Sequence, residues 1–210
     1  KNISLLFLIK ICSWLMLYMP VIKLFYAENG LDDFDLFLLH AIYSGVIFAV
    51  EIPSGYLADI WKRKRCIQTG MFLSLAGFAT YSFTSGFWGF LFAEIALGIG
   101  QGFISGSDTA LLYDSLLHEK KESRYLKTEG QITGIGNIAE AVAGILVTLL
   151  AFHSVRHYYY LQTLLIFAGF LLSLFLAEPS IHGKQIKISL RSIIEVVQES
   201  LWSNKTISRY

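Results

Sequence analysis

Six apolar stretches, each long enough to cross a bilayer, constrain this chain more than any other feature. A transmembrane helix needs about 20 mostly apolar residues. Ile3–Tyr26, Phe34–Leu57, Cys66–Ser85, Phe87–Tyr113, Gln131–Phe152 and Tyr158–Ala177 each reach that length. The connections between them are short, apart from residues 114–130. Hydrocarbon offers the backbone no hydrogen-bond partner, so such stretches must be helical. The expected fold class is an all-α membrane protein, with a six-transmembrane-helix bundle over residues 1–178. Of the 210 residues, 54% are hydrophobic and 16% charged, where a soluble domain has about 25% charged. Membrane lipid is therefore the expected surrounding. A net charge of +1 gives no basic field for nucleic acid, and no nucleic-acid partner is expected. The first stretch is too long for a cleaved signal peptide. Cys12 and Cys66 lie in or beside apolar stretches, so no disulfide framework is expected.

Basic residues set the orientation. Lys62, Arg63, Lys64 and Arg65 follow the second stretch; Lys120, Lys121, Arg124 and Lys127 follow the fourth; Lys184, Lys187, Arg191, Lys205 and Arg209 follow the sixth. With six spans these groups share one side, and Lys1 joins them. The opposite side has Lys23, Arg156 and the acidic run Glu28, Asp32, Asp33 and Asp35. The positive-inside rule then places both ends of the chain in the cytoplasm, in a plasma membrane, expected to be a bacterial inner membrane.

The last residues differ in kind. Ile186, Leu190, Ile193, Ile194, Val197 and Leu201 recur at helical spacing, while Lys187, Arg191, Glu195 and Glu199 form a charged row on another face. Residues 179–210 therefore read as an amphipathic cytoplasmic segment lying along the membrane surface.

Ionisable residues inside spans are costly and are functional candidates by default. Lys10 and Glu51 lie at similar depths, about 10 Å from the basic side at 1.5 Å per residue, and a Lys10–Glu51 pair would neutralise both. Glu94 in the fourth span and Glu140 in the fifth are the candidate proton-binding acids, because desolvation lets a carboxyl exchange a proton in the working range. Hydrogen bonding to neighbouring helices as neutral acids is the alternative. Gln101, Asn137, Asp108, Tyr18 and Trp14 are candidates to line a substrate path. Gly98, Gly102 and Gly106 form a small-residue stripe for close helix packing, and Gly136 and Gly144 place Glu140 on a comparable face. His153 and His157 have metal-ligand spacing without a further ligand nearby, so no metal site is expected. No phosphate-binding Gly loop and no catalytic triad occur, so neither a cofactor nor an enzyme activity is expected.

The most informative segment is Gly55-Tyr56-Leu57-Ala58-Asp59-Ile60-Trp61-Lys62-Arg63-Lys64-Arg65. A Gly permits close helix approach, an acid ends the second span, and a tight basic turn returns the chain. This segment resembles the signature loop of the major facilitator superfamily, roughly G-x-L-A-D-R-x-G-R-R/K, between its second and third helices. Gly55, Leu57, Ala58, Asp59, Arg63 and Lys64 match; Ile60 stands for a basic residue and Lys62 for the second Gly. Glu51-Ile52-Pro53-Ser54-Gly55 and Ser105-Gly106-Ser107-Asp108-Thr109-Ala110-Leu111-Leu112-Tyr113-Asp114 look like E-I-P-[ST]-G and S-G-A-D-x-A-L-L-Y-D of one bacterial branch. The resemblance implies that Asp59, Arg63 and Asp114, with Gly55 and Lys64, form a cytoplasmic switch cluster that holds the outward-facing state. Glu94 stands where the family's common pattern has Arg. The segment Ala139-Glu140-Ala141-Val142-Ala143-Gly144 lacks the Pro of the antiporter signature.

By that resemblance the chain is the N-terminal half of a twelve-helix secondary transporter, built as two inverted three-helix repeats with residues 179–210 leading to a missing second half. Spans one and four would face a cavity, and rocking would expose it alternately to each side. A small-molecule substrate and protons are the expected partners, in a permease or efflux role. The alternatives are a six-helix homodimeric transporter and a non-transporting receptor or scaffold of the same fold. No residue pattern names the substrate.

Overall fold

The computed structural model describes residues 1–150 and 154–179, with all their side chains except those of Ile52, Tyr56 and Asp59. The expected surface helix over residues 186–201 and His153 lie outside the described residues. Among the described residues every regular element is helical: α1 (Asn2–Trp14), α2 (Ile22–Glu28), α3 (Asp33–Trp61), α4 (Arg63–Phe83), α5 (Gly86–Ile104), α6 (Ser107–His118), α7 (Tyr125–Leu150) and α8 (Arg156–Leu174), with single 3-10 turns at Met19–Val21 and Glu122–Arg124.

Two of the expected continuous spans are broken. The first is α1 and α2 separated by Leu15–Tyr18 and the 3-10 turn, where Pro20 lacks the N–H a helix needs. The fourth is α5 and α6 separated at Ser105–Gly106, where Gly106 takes φ +76°. Gly106 is thus the turning residue of the break, not the third member of a packing stripe; a Cβ built there meets nothing within 4 Å. Gly98 and Gly102 do pack as expected. A Cβ on Gly98 would meet Val46 Cγ1 at 2.9 Å, and one on Gly102 would meet Val50 Cγ1 at 2.8 Å, so α5 lies directly against α3.

Among the described residues five segments are long and apolar enough to cross a membrane, Asn2–Glu28, Asp33–Glu51, Gly86–His118, Glu122–Leu150 and Arg156–Leu174. The expected third span corresponds to α4, which is 21 residues long but less apolar. Its place in the bundle explains this. α4 packs against both α5 and α8 and buries Gly70, Ser74, Gly77 and Ser82 against them. Small and weakly polar residues suit helix–helix contact better than lipid contact. The fifth span begins at Tyr125, six residues before the expected Gln131, because α7 extends toward the 3-10 turn.

The helices follow the lateral order α7–α1–α8–α4–α5–α3 by their main packing contacts. α3 and α7 stand at the two ends of that order. Between α2, α4, α5 and α8 the core is aromatic: the Phe25 ring stacks 3.8 Å from Tyr159 and 5.2 Å from Phe90. Arg156 ties this end together, donating to Ser82 O at 3.1 Å, Thr84 O at 2.7 Å and Ser85 Oγ at 3.0 Å. The acidic run before α3 has a local task as well: Asp32 and Asp35 form a reciprocal capping box at its N-terminus.

Candidate functional site

Elements α1 to α5 and α8 enclose a cavity of about 180 Å³, whose wall includes the break in the first span through Met16, Tyr18 and Met19. Glu94, on α5, is its buried acid at 5% exposure. Glu94 Oε1 accepts the Tyr81 hydroxyl at 2.7 Å and the Tyr26 hydroxyl at 3.2 Å, and the two hydroxyls are 2.6 Å apart. His40 Nδ1 stands 3.8 Å from the same oxygen. It also lies 3.0 Å from Leu36 O, and since a carbonyl only accepts, Nδ1 carries the proton there. Glu94 Oε2 makes no hydrogen bond to another described residue. Four elements thus converge on one carboxylate.

Sequence reasoning singled out Glu94 but missed Tyr26, Tyr81 and His40. His40 was findable, since an ionisable residue inside an apolar stretch is a candidate by the same rule that picked out Glu94. Tyr26 and Tyr81 carry no such signal, because aromatic residues are common in spans.

A second cavity shares Ser13, Gln101 and Ile104 with the first and is lined by Lys10, Trp14, Asp108 and Glu129. The Lys10 ammonium lies 4.3 Å from the Trp14 ring centroid. Asp108 Oδ1 accepts the Thr109 N–H at 2.7 Å. Glu129 fell within the expected loop 114–130 and enters the site because α7 begins at Tyr125. Among the described residues Lys10 and Glu51 form no ion pair, against expectation. Glu51 is exposed and accepts the Ser105 hydroxyl at 2.8 Å, beside the break in the fourth span. Lys10 points instead along α7, where its Cε lies 3.3 Å from a Cβ built on Gly136.

Glu140 and Asn137 line neither cavity. Both are exposed on α7, and Gly144 beside them has open space around it.

At the basic end, the expected partners Arg63 and Asp114 meet in an ion pair, and the Arg63 guanidinium also donates to Ala110 O at 2.7 Å. The turn is one residue long: α3 runs to Trp61, α4 starts at Arg63, and Lys62 alone is non-helical, at φ +82°. Glu178, unremarked in the sequence, caps α4 with both oxygens, accepting the Arg63 N–H at 3.2 Å and the Lys64 N–H at 3.0 Å. Asn2 joins the chain's start to Ser115 Oγ at 2.9 Å and to Ala177 O at 2.7 Å. The side chain of Asp59 is outside the described set. Gly55 makes no close helix contact; it is exposed, with nothing within 4 Å of a built Cβ.

Comparison with known proteins places this arrangement. The peptide transporter POT, solved as a mutant in complex with sulfate, superposes with a TM-score of 0.73 at 16% identity, covering 99% of this chain and 45% of that one. The same mutant in complex with alafosfalin gives 0.62 at 15% identity, over 99% and 45% of the two chains. At such identity the likeness concerns the fold, and this chain spans about half the length of the solved structures it matches. No curated protein matches the sequence. Residues 4–207 match the sequence family described as Major Facilitator Superfamily. That match runs through both broken spans, the one-residue basic turn and the Glu94 cavity, and the chain belongs to the major facilitator superfamily of membrane transporters.

Proposed function

We propose that this chain is one half of a secondary active transporter that moves a small solute by alternating access, with Glu94 as the proton-binding group. The observation that carries the reading is the convergence of Tyr26, Tyr81 and His40 on one buried carboxylate that lines a cavity. A carboxylate in such a place holds its charge only with help, so proton uptake and solute binding compete for it. The breaks in the first and fourth spans flank this cavity, as discontinuous helices do in transporters that rock about a central site. Arg63, Asp114 and Glu178 tie α4 to α6 and to the end of the bundle after α8, and form the contact that would part during switching. By the positive-inside rule this end is cytoplasmic.

The open flanks of α3 and α7 support a second layer of protein. Glu140 and Asn137 on α7 and Glu51 on α3 are exposed, and acids do not face lipid. A second six-helix half of the same polypeptide would cover them. A second copy of this chain is the other arrangement, and native mass measurement in lipid separates the two.

The test is reconstitution of the polypeptide with both of its halves in liposomes, with an imposed pH gradient and a panel of labelled solutes. Wild-type protein accumulates at least one solute against its gradient. Glu94→Gln shows no gradient-driven accumulation. Undiminished gradient-driven accumulation by Glu94→Gln would overturn the reading.

A further inference from the structure

The lining of the Glu94 cavity is unusual for a site that must hold a polar solute. Five aromatic side chains face it, Tyr18, Tyr43, Phe78, Tyr81 and Tyr159, and among the described residues neither Lys nor Arg lines it. Four of them form one wall: Tyr18 packs against Phe78 at 5.1 Å and against Tyr159 at 5.7 Å, and Tyr81 against Tyr159 at 5.4 Å. Tyr43 comes from α3. Glu94 presents an oxygen, Oε2, that no described residue uses. The other oxygen is fixed by two tyrosine hydroxyls, so the carboxylate is oriented before any solute arrives.

Each solute class makes a different demand on these walls. An anion needs a guanidinium, an ammonium or a set of free N–H groups, and here it would meet a carboxylate. A sugar would also find hydrogen-bonding side chains here, among them Gln101 and Tyr159, whose hydroxyl has no partner among the described residues, but it would leave the Glu94 charge unanswered. An organic cation needs a counter-charge and electron-rich ring faces, which attract an ammonium. The neighbouring cavity already shows that pairing, with the Lys10 ammonium on the Trp14 ring at 4.3 Å. Size agrees: an apolar cavity of about 150 Å³ takes one benzene, and this one has about 180 Å³.

We infer that the cavity binds a small organic cation, an aryl- or alkylammonium with one ring, with Glu94 as its counter-charge and Tyr43, Phe78 and Tyr159 as the faces it lies against. The inference names the solute class for the proposed transport site and so rests on that reading. Protons and the cation then compete for one carboxylate. The other titratable groups facing it are His40 and Tyr43 from α3, Tyr26 from α2, Tyr81 from α4, and Tyr18 and Tyr159 beyond them. His40 adds to the competition, because its protonated form places a second positive charge 3.8 Å from Glu94 Oε1.

Equilibrium binding to the protein in lipid nanodiscs tests this without requiring transport. The probe is radiolabelled phenyltrimethylammonium. Its neutral isostere tert-butylbenzene and the anion benzenesulfonate serve as competitors. The expected result is saturable binding that a 100-fold excess of either competitor leaves intact. Acidification from pH 8 to pH 5 weakens it at least tenfold, Glu94→Gln weakens it at least tenfold, and Tyr43→Leu weakens it several-fold where Tyr43→Phe does not. Displacement by benzenesulfonate, equal displacement by tert-butylbenzene, or uptake that never saturates would overturn the inference. Should Glu94→Gln fail to fold, the pH series and the Tyr43 pair still decide it. The two readings fail separately: saturable cation binding without gradient-driven transport sinks the transporter proposal alone, and gradient-driven transport of an anion sinks the cation inference alone.

Discussion

The side-chain oxygen of Gln162 accepts the backbone N–H of Leu17 at 3.0 Å, where the first span breaks between α1 and α2. Gln162 is wholly buried on α8. A break inside a membrane frees backbone groups that lipid cannot satisfy, and this N–H is shared between Gln162 and the Leu15 carbonyl, 2.9 Å away within the break. Gln162→Met keeps the reach of the side chain and removes that acceptor. The Leu15 carbonyl remains as a partner, so the expected cost is about 0.5–1.5 kcal/mol, that of one net hydrogen bond. Thermal unfolding in detergent should show a lowered midpoint, with helix content unchanged below it. An unaltered midpoint would mean that the Leu15 carbonyl alone satisfies the Leu17 N–H.

The α3–α5 contact makes a sharper prediction. A methyl on Gly102 would sit 2.8 Å from Val50 Cγ1, well inside van der Waals distance. Gly102→Ala therefore forces the helices apart, at about 1–3 kcal/mol for overpacking. Val50→Ala in the same chain removes Cγ1 but leaves Cβ 2.9 Å away. The double variant should recover part of the loss, giving a coupling energy of about 0.5 kcal/mol or more in a double-mutant cycle. Additive losses would place the strain elsewhere.

How much of this was legible in the sequence depends on what each feature needs. The helical bundle follows from apolar length, and the meeting of Arg63 with Asp114 follows from the signature segments. The two breaks were not legible from hydropathy. Tyr18, Met19 and Ile104 are as apolar as a span requires, and the break at Gly106 depends on a backbone angle, not on composition. The same Gly read equally well as a packing residue. Glu94 stood out because an acid in lipid is costly, but its hydroxyl donors come from spans one and three, and only the packing of α2 and α4 on α5 brings them to it. Glu178 was hidden for another reason: capping is a contact between segments more than a hundred residues apart.

Glu178 has a testable weight of its own. Its two oxygens take the first N–H groups of α4 at 3.2 Å and 3.0 Å, where the helix dipole also favours an anion. Glu178→Ala removes both bonds, and a lost N-cap costs about 0.5–2 kcal/mol. Hydrogen exchange read by mass spectrometry should show faster exchange in the peptide carrying Arg63 to Ile67, while peptides from α7 stay protected. Glu178→Asp, with a shorter reach, should fall between the two.

The turn at Lys62 offers the opposite sign of change. Lys62 sits at φ +82° and ψ +138°, between two helices that leave it no room to relax. An L side chain pays of order 1–3 kcal/mol in such a region, and glycine does not. The resembling family pattern has Gly at this place. Lys62→Gly should therefore stabilise the protein, by about 1 kcal/mol once the greater freedom of glycine in the unfolded chain is set against the relieved strain. Lys62→Ala removes the same charge but keeps the Cβ, so it separates backbone strain from electrostatics. The expected order of unfolding midpoints in detergent is Lys62→Gly above wild type, with Lys62→Ala close to wild type. A Lys62→Ala variant as stable as Lys62→Gly would show that repulsion among Lys62, Arg63, Lys64 and Arg65, not the backbone angle, is what the turn has to overcome.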